Sequence, residues 1–375
     1  MSGGRFVSGA IVVALAMAWS TAPGWTQPAP TKPAAHAKPK AKQTKPKAKP
    51  APQAKPAPQA KPTPQTKASA PAKPEATAPS SEPDLAYGAF QRGLYLTAFK
   101  EATKRVADAN DPKAMTLLGE LYADGLGVPN DDKKAAEWYN LAIARGDREA
   151  MFALAMFRMS GRAGPPDRQE AARLLADASD RGHVVAAYDL ALLYLEGQVF
   201  PQDFTKAAEL MRKAADAGNP QAQYALATFY KDGRGVTKDL QEAARLLGEA
   251  AQSGMTEAEI EYGIALFNGT GIRKNESAAL PYFLKAAKKN NPAGQNRLAL
   301  MYATGRGVKI NPVEAARWHM IAKAGGDPDQ FLDDFMSKMK PADLALAGDK
   351  AKPWIARMQA VGPTPFPEPS APSKP

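Results

Sequence analysis

A single period governs this chain. Glycine recurs at Gly125, Gly161, Gly197, Gly233, Gly269 and Gly305, each 36 residues after the last and without an insertion. Alanine keeps the same spacing along two rows: Ala135, Ala171, Ala207, Ala243, Ala279 and Ala315, then Ala142, Ala178, Ala214, Ala250, Ala286 and Ala322. Six copies therefore fill residues 112–327 of the 375. A fixed period of roughly 20–50 residues argues against one core shared by distant segments. Each unit buries its apolar face only against its neighbours, which makes a solenoid.

Within a unit the signals are helical. Ala114, Leu118, Leu121 and Tyr122 fall at i, i+4, i+7 and i+8, and recur as Ala222, Leu226, Phe229 and Tyr230, which gives a first helix, A, with a core stripe. A turn of the type Gly125-x-Gly127-Val128-Pro129 follows. Asp131, Asp167, Asp203, Asp239, Asn275 and Asn311 stand where a second helix, B, needs an N-cap, and Asp167, Asp239 and Asn311 have Glu three residues on, as in a capping box. The alanine pair seven apart lets helix B lie close to its partner, with Trp138, Leu174, Leu210, Leu246, Tyr282 and Trp318 expected to fill the space between. Gly146, Gly182, Gly218 and Gly254 supply a left-handed C-terminal turn, a role Asn290 can take in the fifth unit. Pro281 falls about six residues into the fifth helix B, where it costs ~3 kcal/mol unless the helix starts late or bends.

Read from Ala114 to Ala142, the pattern Ala-x3-Leu-Gly-x-Leu-Tyr-x2-Gly-x-Gly-Val-Pro-x-Asp-x3-Ala-x2-Trp-Tyr-x2-Ala resembles the Sel-one-like repeat, a relative of the tetratricopeptide repeat. Residues 83–111, with Ala86, Ala89, Phe90, Gly93, Tyr95 and Ala98, are similar to a shorter tetratricopeptide-type hairpin. The resemblance implies an all-α fold, an α/α solenoid of six 36-residue repeats, used as a non-enzymatic scaffold that binds protein partners without a cofactor. Two units depart from the pattern: the second has Arg158 for Tyr and Ala163-Gly164 for Gly-Val, and the third has Val199-Phe200. Their loops are expected to be less regular. At residues 328–359, Phe331, Leu332, Phe335 and Met339 give one helical face and Trp354, Ile355 and Met358 another, as a C-terminal cap requires. Residues 360–375 read as a disordered Pro-rich tail.

The N-terminal region has a different character. Arg5, an apolar run from Phe6 to Ala18 and the small-x-small Ala16-Met17-Ala18 give residues 1–27 the form of a secretory signal; an uncleaved anchor is the alternative. Export, with a periplasmic location in a bacterial envelope, is the expectation. The chain's net charge of +11 is concentrated in residues 28–82, where eleven Lys face Glu75 and Glu82 amid fourteen Pro and no aromatic residue. No core forms from such a stretch, so it reads as a disordered, extended linker. It serves either as a solvated tether or as a means of attraction to an anionic polymer or membrane surface. Lysine alone provides no specific nucleic-acid readout.

Chemistry-bearing residues are few. The chain has no Cys, which removes disulfides, thiolate metal sites and a cysteine nucleophile. Of its three His, His36 lies in the basic stretch, His183 occupies a turn position held elsewhere by Asp147 and Asn219, and His319 aligns with Tyr139 and Leu175. No pair has ligand spacing, so no metal site is proposed. The recurrent carboxylates are helix caps, and no catalytic residue is assigned.

The family-like geometry places helix A on the concave side, so its outward stripe holds the candidate partner-binding residues. In five units that stripe includes Phe152 and Met156, Tyr188 and Leu192, Tyr224 and Thr228, Ile260 and Ile264, and Leu300, whereas the first unit has Thr116, Glu120 and Ala123. A helix face toward water should be polar. An apolar stripe either docks an apolar or amphipathic segment or is buried by superhelical curvature.

Overall fold

The computed structural model describes residues 84–361, so the N-terminal signal-like and basic segments and the chain beyond Val361 lie outside the described residues. Among the described residues there are sixteen helices and no strand. A hairpin of α1 (Leu85–Gln91) and α2 (Tyr95–Ala109) comes first. Six pairs follow: α3 (Pro112–Asp124) with α4 (Asp132–Ile143), α5 (Arg148–Ser160) with α6 (Arg168–Asp180), and α7 (Val184–Glu196) with α8 (Phe204–Asp216). The other three are α9 (Pro220–Asp232) with α10 (Leu240–Gln252), α11 (Thr256–Asn268) with α12 (Glu276–Lys288), and α13 (Pro292–Thr304) with α14 (Pro312–Ala324). Last come α15 (Gln330–Ser337) and α16 (Pro341–Val361). Each helix packs on the next along the chain from α1 to α14, as an all-α solenoid requires.

Local chemistry sets the boundaries. Each of the six residues expected to cap helix B does so, its side-chain oxygen accepting a backbone N–H of the first turn. The backbone N–H of the same residue donates to a helix A carbonyl nine residues back, as Asp131 to Tyr122 and Asn311 to Tyr302, which fixes the angle of the turn. Asn290 takes the left-handed conformation at φ 61° where the earlier units have glycine. Pro281 stands inside α12, which nevertheless begins on schedule after Asn275; a late start is not used.

The two irregular loops differ as their residues dictate. The first, fourth, fifth and sixth units turn on two glycines of positive φ, and the second of these meets the previous unit: a Cβ on Gly271 would lie 1.8 Å from the Leu240 carbonyl oxygen. In the second unit Ala163 takes φ 59° and Gly164 φ 154°, and in the third only Gly197 is positive.

One packing detail departs from expectation. Between helices A and B the side chains Tyr139, Leu175, Met211, Leu247, Phe283 and His319 are all buried, one residue after the expected row. In that expected row Leu210, Leu246 and Trp318 are buried, whereas Trp138, Leu174 and Tyr282 are only half-buried. The phase explains it, because Ala135, Tyr139 and Ala142 fall at i, i+4 and i+7 on one helical stripe.

At the C-terminal end, Leu332 is buried in the apolar cluster of the last two units, and Trp354, Ile355 and Met358 pack against it. The Trp354 indole N–H donates to the Asn290 side-chain oxygen at 2.9 Å. His319 Nε2 lies 2.8 Å from Asp333 Oδ1, joining α14 to α15, a role its alignment with Tyr139 did not reveal.

Candidate partner-binding surface

Seven of the nine stripe residues join one of two apolar clusters, and Thr228 and Ile260 join neither. Phe152, Met156, Tyr188, Leu192 and Tyr224 belong to or pack on one continuous apolar cluster running from α5 to α10, while Ile264 and Leu300 belong with the cluster of the last units. Within them, Leu192 is 5% exposed and Leu300 9%, so these two are buried in their respective clusters. Phe152, Met156, Tyr188, Tyr224, Thr228, Ile260 and Ile264 are half-buried and keep accessible surface. A half-buried apolar side chain on consecutive helices gives a surface on which water is poorly satisfied.

Polar groups are set into the same face. His183 caps α7: its Nδ1 accepts the Ala186 N–H at 3.0 Å, so the ring proton sits on Nε2, 3.0 Å from Glu149 Oε2. The ring also stacks on Phe152, with centroids 4.4 Å apart. The His183 hydrogen bond, with Arg148 alongside, holds the Glu149 carboxyl below its usual range. Lys231 Nζ reaches Glu261 across the unit boundary at 2.7 Å. Burial pushes the Tyr188 hydroxyl up, helped by Asp189, and Tyr224 up to about 12, with Glu261 and Glu257 adding to it.

Asp189 is the residue the sequence did not single out. It is 2% exposed, its Oδ2 is buried with no partner, and desolvation pushes its carboxyl up to about 7 against the opposing influence of His183. Its equivalents are Leu117, Ala153 and Ala225 in the first, second and fourth units but Glu261 and Arg297 in the fifth and sixth, so the residue type alone does not set it apart. Among the described residues there is no group of three or more His, Cys, Asp or Glu that could hold a metal ion. No helix there is long and apolar enough to cross a membrane.

A run of helix pairs with this loop, cap and small-residue pattern defines an α/α repeat scaffold. Residues 112–147, 148–183, 184–219, 220–255, 256–291 and 292–327 each match the Sel1 repeat, and the chain belongs to that family. Sel1 repeat proteins are generally protein-interaction scaffolds, and the repeat is a non-catalytic fold. Among solved structures, a Sel1 repeat protein from Oxalobacter formigenes is 25% identical, with a TM-score of 0.52 over 63% of this chain and 94% of that one. A protective antigen of uropathogenic Escherichia coli with an SLR fold is also 25% identical, with a TM-score of 0.47 over 74% of this chain and 69% of that one. Comparison with curated proteins gives no match.

Proposed function

We propose that this chain is an exported, periplasmic scaffold that binds a segment of a partner protein along the exposed stripe of its A helices. The observation that carries the reading is the run of half-buried apolar side chains from Phe152 to Ile264, one or two on each of four consecutive A helices. Partners that lay an amphipathic or extended segment in such a groove gain from burying these groups, and Met156 adapts to differing side chains. Export is supported by the signal-like residues 1–27, and residues 28–82 serve as a tether.

Photo-crosslinking in the producing cell tests the reading. A benzophenone amino acid replaces Ile260 in the full chain, and in a control it replaces Leu141, which is exposed on α4. A discrete adduct from position 260, absent from position 141 and retained when residues 28–82 are deleted, is the expected result. An adduct lost with that deletion points instead to an anionic polymer or surface held by the basic stretch.

A further inference from the structure

A cleft of about 450 Å³ opens in front of α3, walled by Tyr87 of α1, Arg105 of α2, Thr116, Leu117 and Glu120 of α3 and Glu149 of α5. The sequence explains the space. Where the first unit has Thr116, the next four have Phe152, Tyr188, Tyr224 and Ile260, and where it has Glu120 they have Met156, Leu192, Thr228 and Ile264. Phe152, Met156 and Tyr188 pack onto the apolar cluster of their own units. In the first unit a hydroxyl and a carboxylate stand in their place, and the volume stays open.

Most charges of the wall are already engaged. Arg105 bridges Asp84 and Asp111. Glu149 takes Arg148 and His183, and Asp147 caps α5 while accepting the Thr116 hydroxyl at 3.0 Å. Lys113, at the rim, acts on Asp84. Among the described residues none gives Glu120 a counter-ion. The cations of the wall, Arg105, Lys113 and Arg148, make no ion pair with it; burial first, and then the charges of Asp124, Glu149 and Asp147, push its carboxyl up to about 7. Glu120 is the only ionisable residue at this position in the six units.

We propose that the cleft binds the basic side chain, arginine or lysine, of a partner protein segment, with Glu120 as its counter-ion and the Tyr87 ring as a face against it. A cation there relieves the repulsion among the carboxylates and supplies the partner that burial has denied Glu120. Tyr87, 37% exposed, offers its ring to a guanidinium or ammonium group. The inference rests on the A-helix face being the partner surface and names one chemical requirement of the partner.

Random peptides displayed on phage, panned against the full chain and in parallel against Glu120→Gln, test it. Peptides recovered on the full chain should have arginine or lysine at one fixed position, with the preference gone from the Glu120→Gln pool. A synthetic peptide from the first pool should bind Glu120→Gln at least tenfold more weakly, and replacing its basic residue by norleucine should matter only to the parent chain. Thr116→Phe, which installs the aromatic of the second unit, should give a comparable loss by filling the cleft, so the result does not depend on one variant folding. Peptides recovered without a basic preference, or bound equally by both variants, overturn the role of the cleft and leave segment binding standing. Recovery of no peptide overturns both.

Discussion

Gly119 of α3 approaches Tyr139 of α4 so closely that a Cβ on the glycine would stand 2.4 Å from the ring Cε1. The fifth unit repeats the relation, with Gly263 2.6 Å from Phe283 Cε1 by the same measure. Where the inward helix B residue is Leu175, Met211, Leu247 or His319, the facing helix A residue is Ala155, Ala191, Ala227 or Ala299. Each unit thus matches side-chain size to backbone approach, as dense packing demands.

Gly119→Ala should therefore destabilise. In an open helix interior the change would stabilise by about 0.5–1 kcal/mol. Here the overlap with the ring should cost about 1–3 kcal/mol. Adding Tyr139→Leu should recover part of that loss, giving a favourable coupling energy in urea unfolding. Additive effects would mean the two side chains do not share the space.

Asp189 makes stability depend on pH. Its carboxyl titrates higher in the folded chain than in the unfolded one, so between the two values the folded state holds a proton the unfolded state has released. Stability attributable to it is therefore lost as pH rises from about 4 to about 7. Asp189→Asn should melt higher than the parent at pH 7.5, by something on the order of 2 kcal/mol, with the advantage shrinking toward pH 4. A constant difference across that range would show that the carboxyl is not the cause.

Glu259 is 1% exposed and meets Lys289 Nζ at 2.9 Å, binding the start of α11 to the end of α12. Removing the two partners should have unequal effects. Lys289→Ala leaves a buried carboxylate without its cation and should cost about 3 kcal/mol. Glu259→Gln leaves a lysine that still reaches water and donates to the Gly254 carbonyl at 2.7 Å, and should cost about half as much or less. Thermal melts of both variants check the order.

Much of this architecture was legible because it repeats. The caps at Asp131 through Asn311 and the left-handed Asn290 follow from local hydrogen bonding and backbone sterics, which need no knowledge of distant residues. Of the expected helix B row only Leu210, Leu246 and Trp318 are buried, and the row buried in every unit lies one residue later; in the first unit Trp138 and Tyr139 are both large, and only the phase relative to Ala135 and Ala142 separates them. Exposure within the candidate stripe was harder to read. Leu192 and Ile264 occupy equivalent positions, yet Leu192 is buried and Ile264 half-buried, because packing from neighbouring units differs along the array. The burial of Asp189 and the His319–Asp333 contact arise only once the helices pack, and residue type alone does not mark them.

The central claim is that the exposed apolar stripe of the A helices holds the partner segment. Its most direct test compares Met156→Glu/Ile260→Glu with Leu141→Glu, measuring affinity for the partner captured at position 260 beside a circular dichroism melt of each chain. The account predicts that the double variant keeps its helicity and loses at least a hundredfold in affinity, while Leu141→Glu binds like the parent. A folded double variant that binds with parental affinity would contradict it.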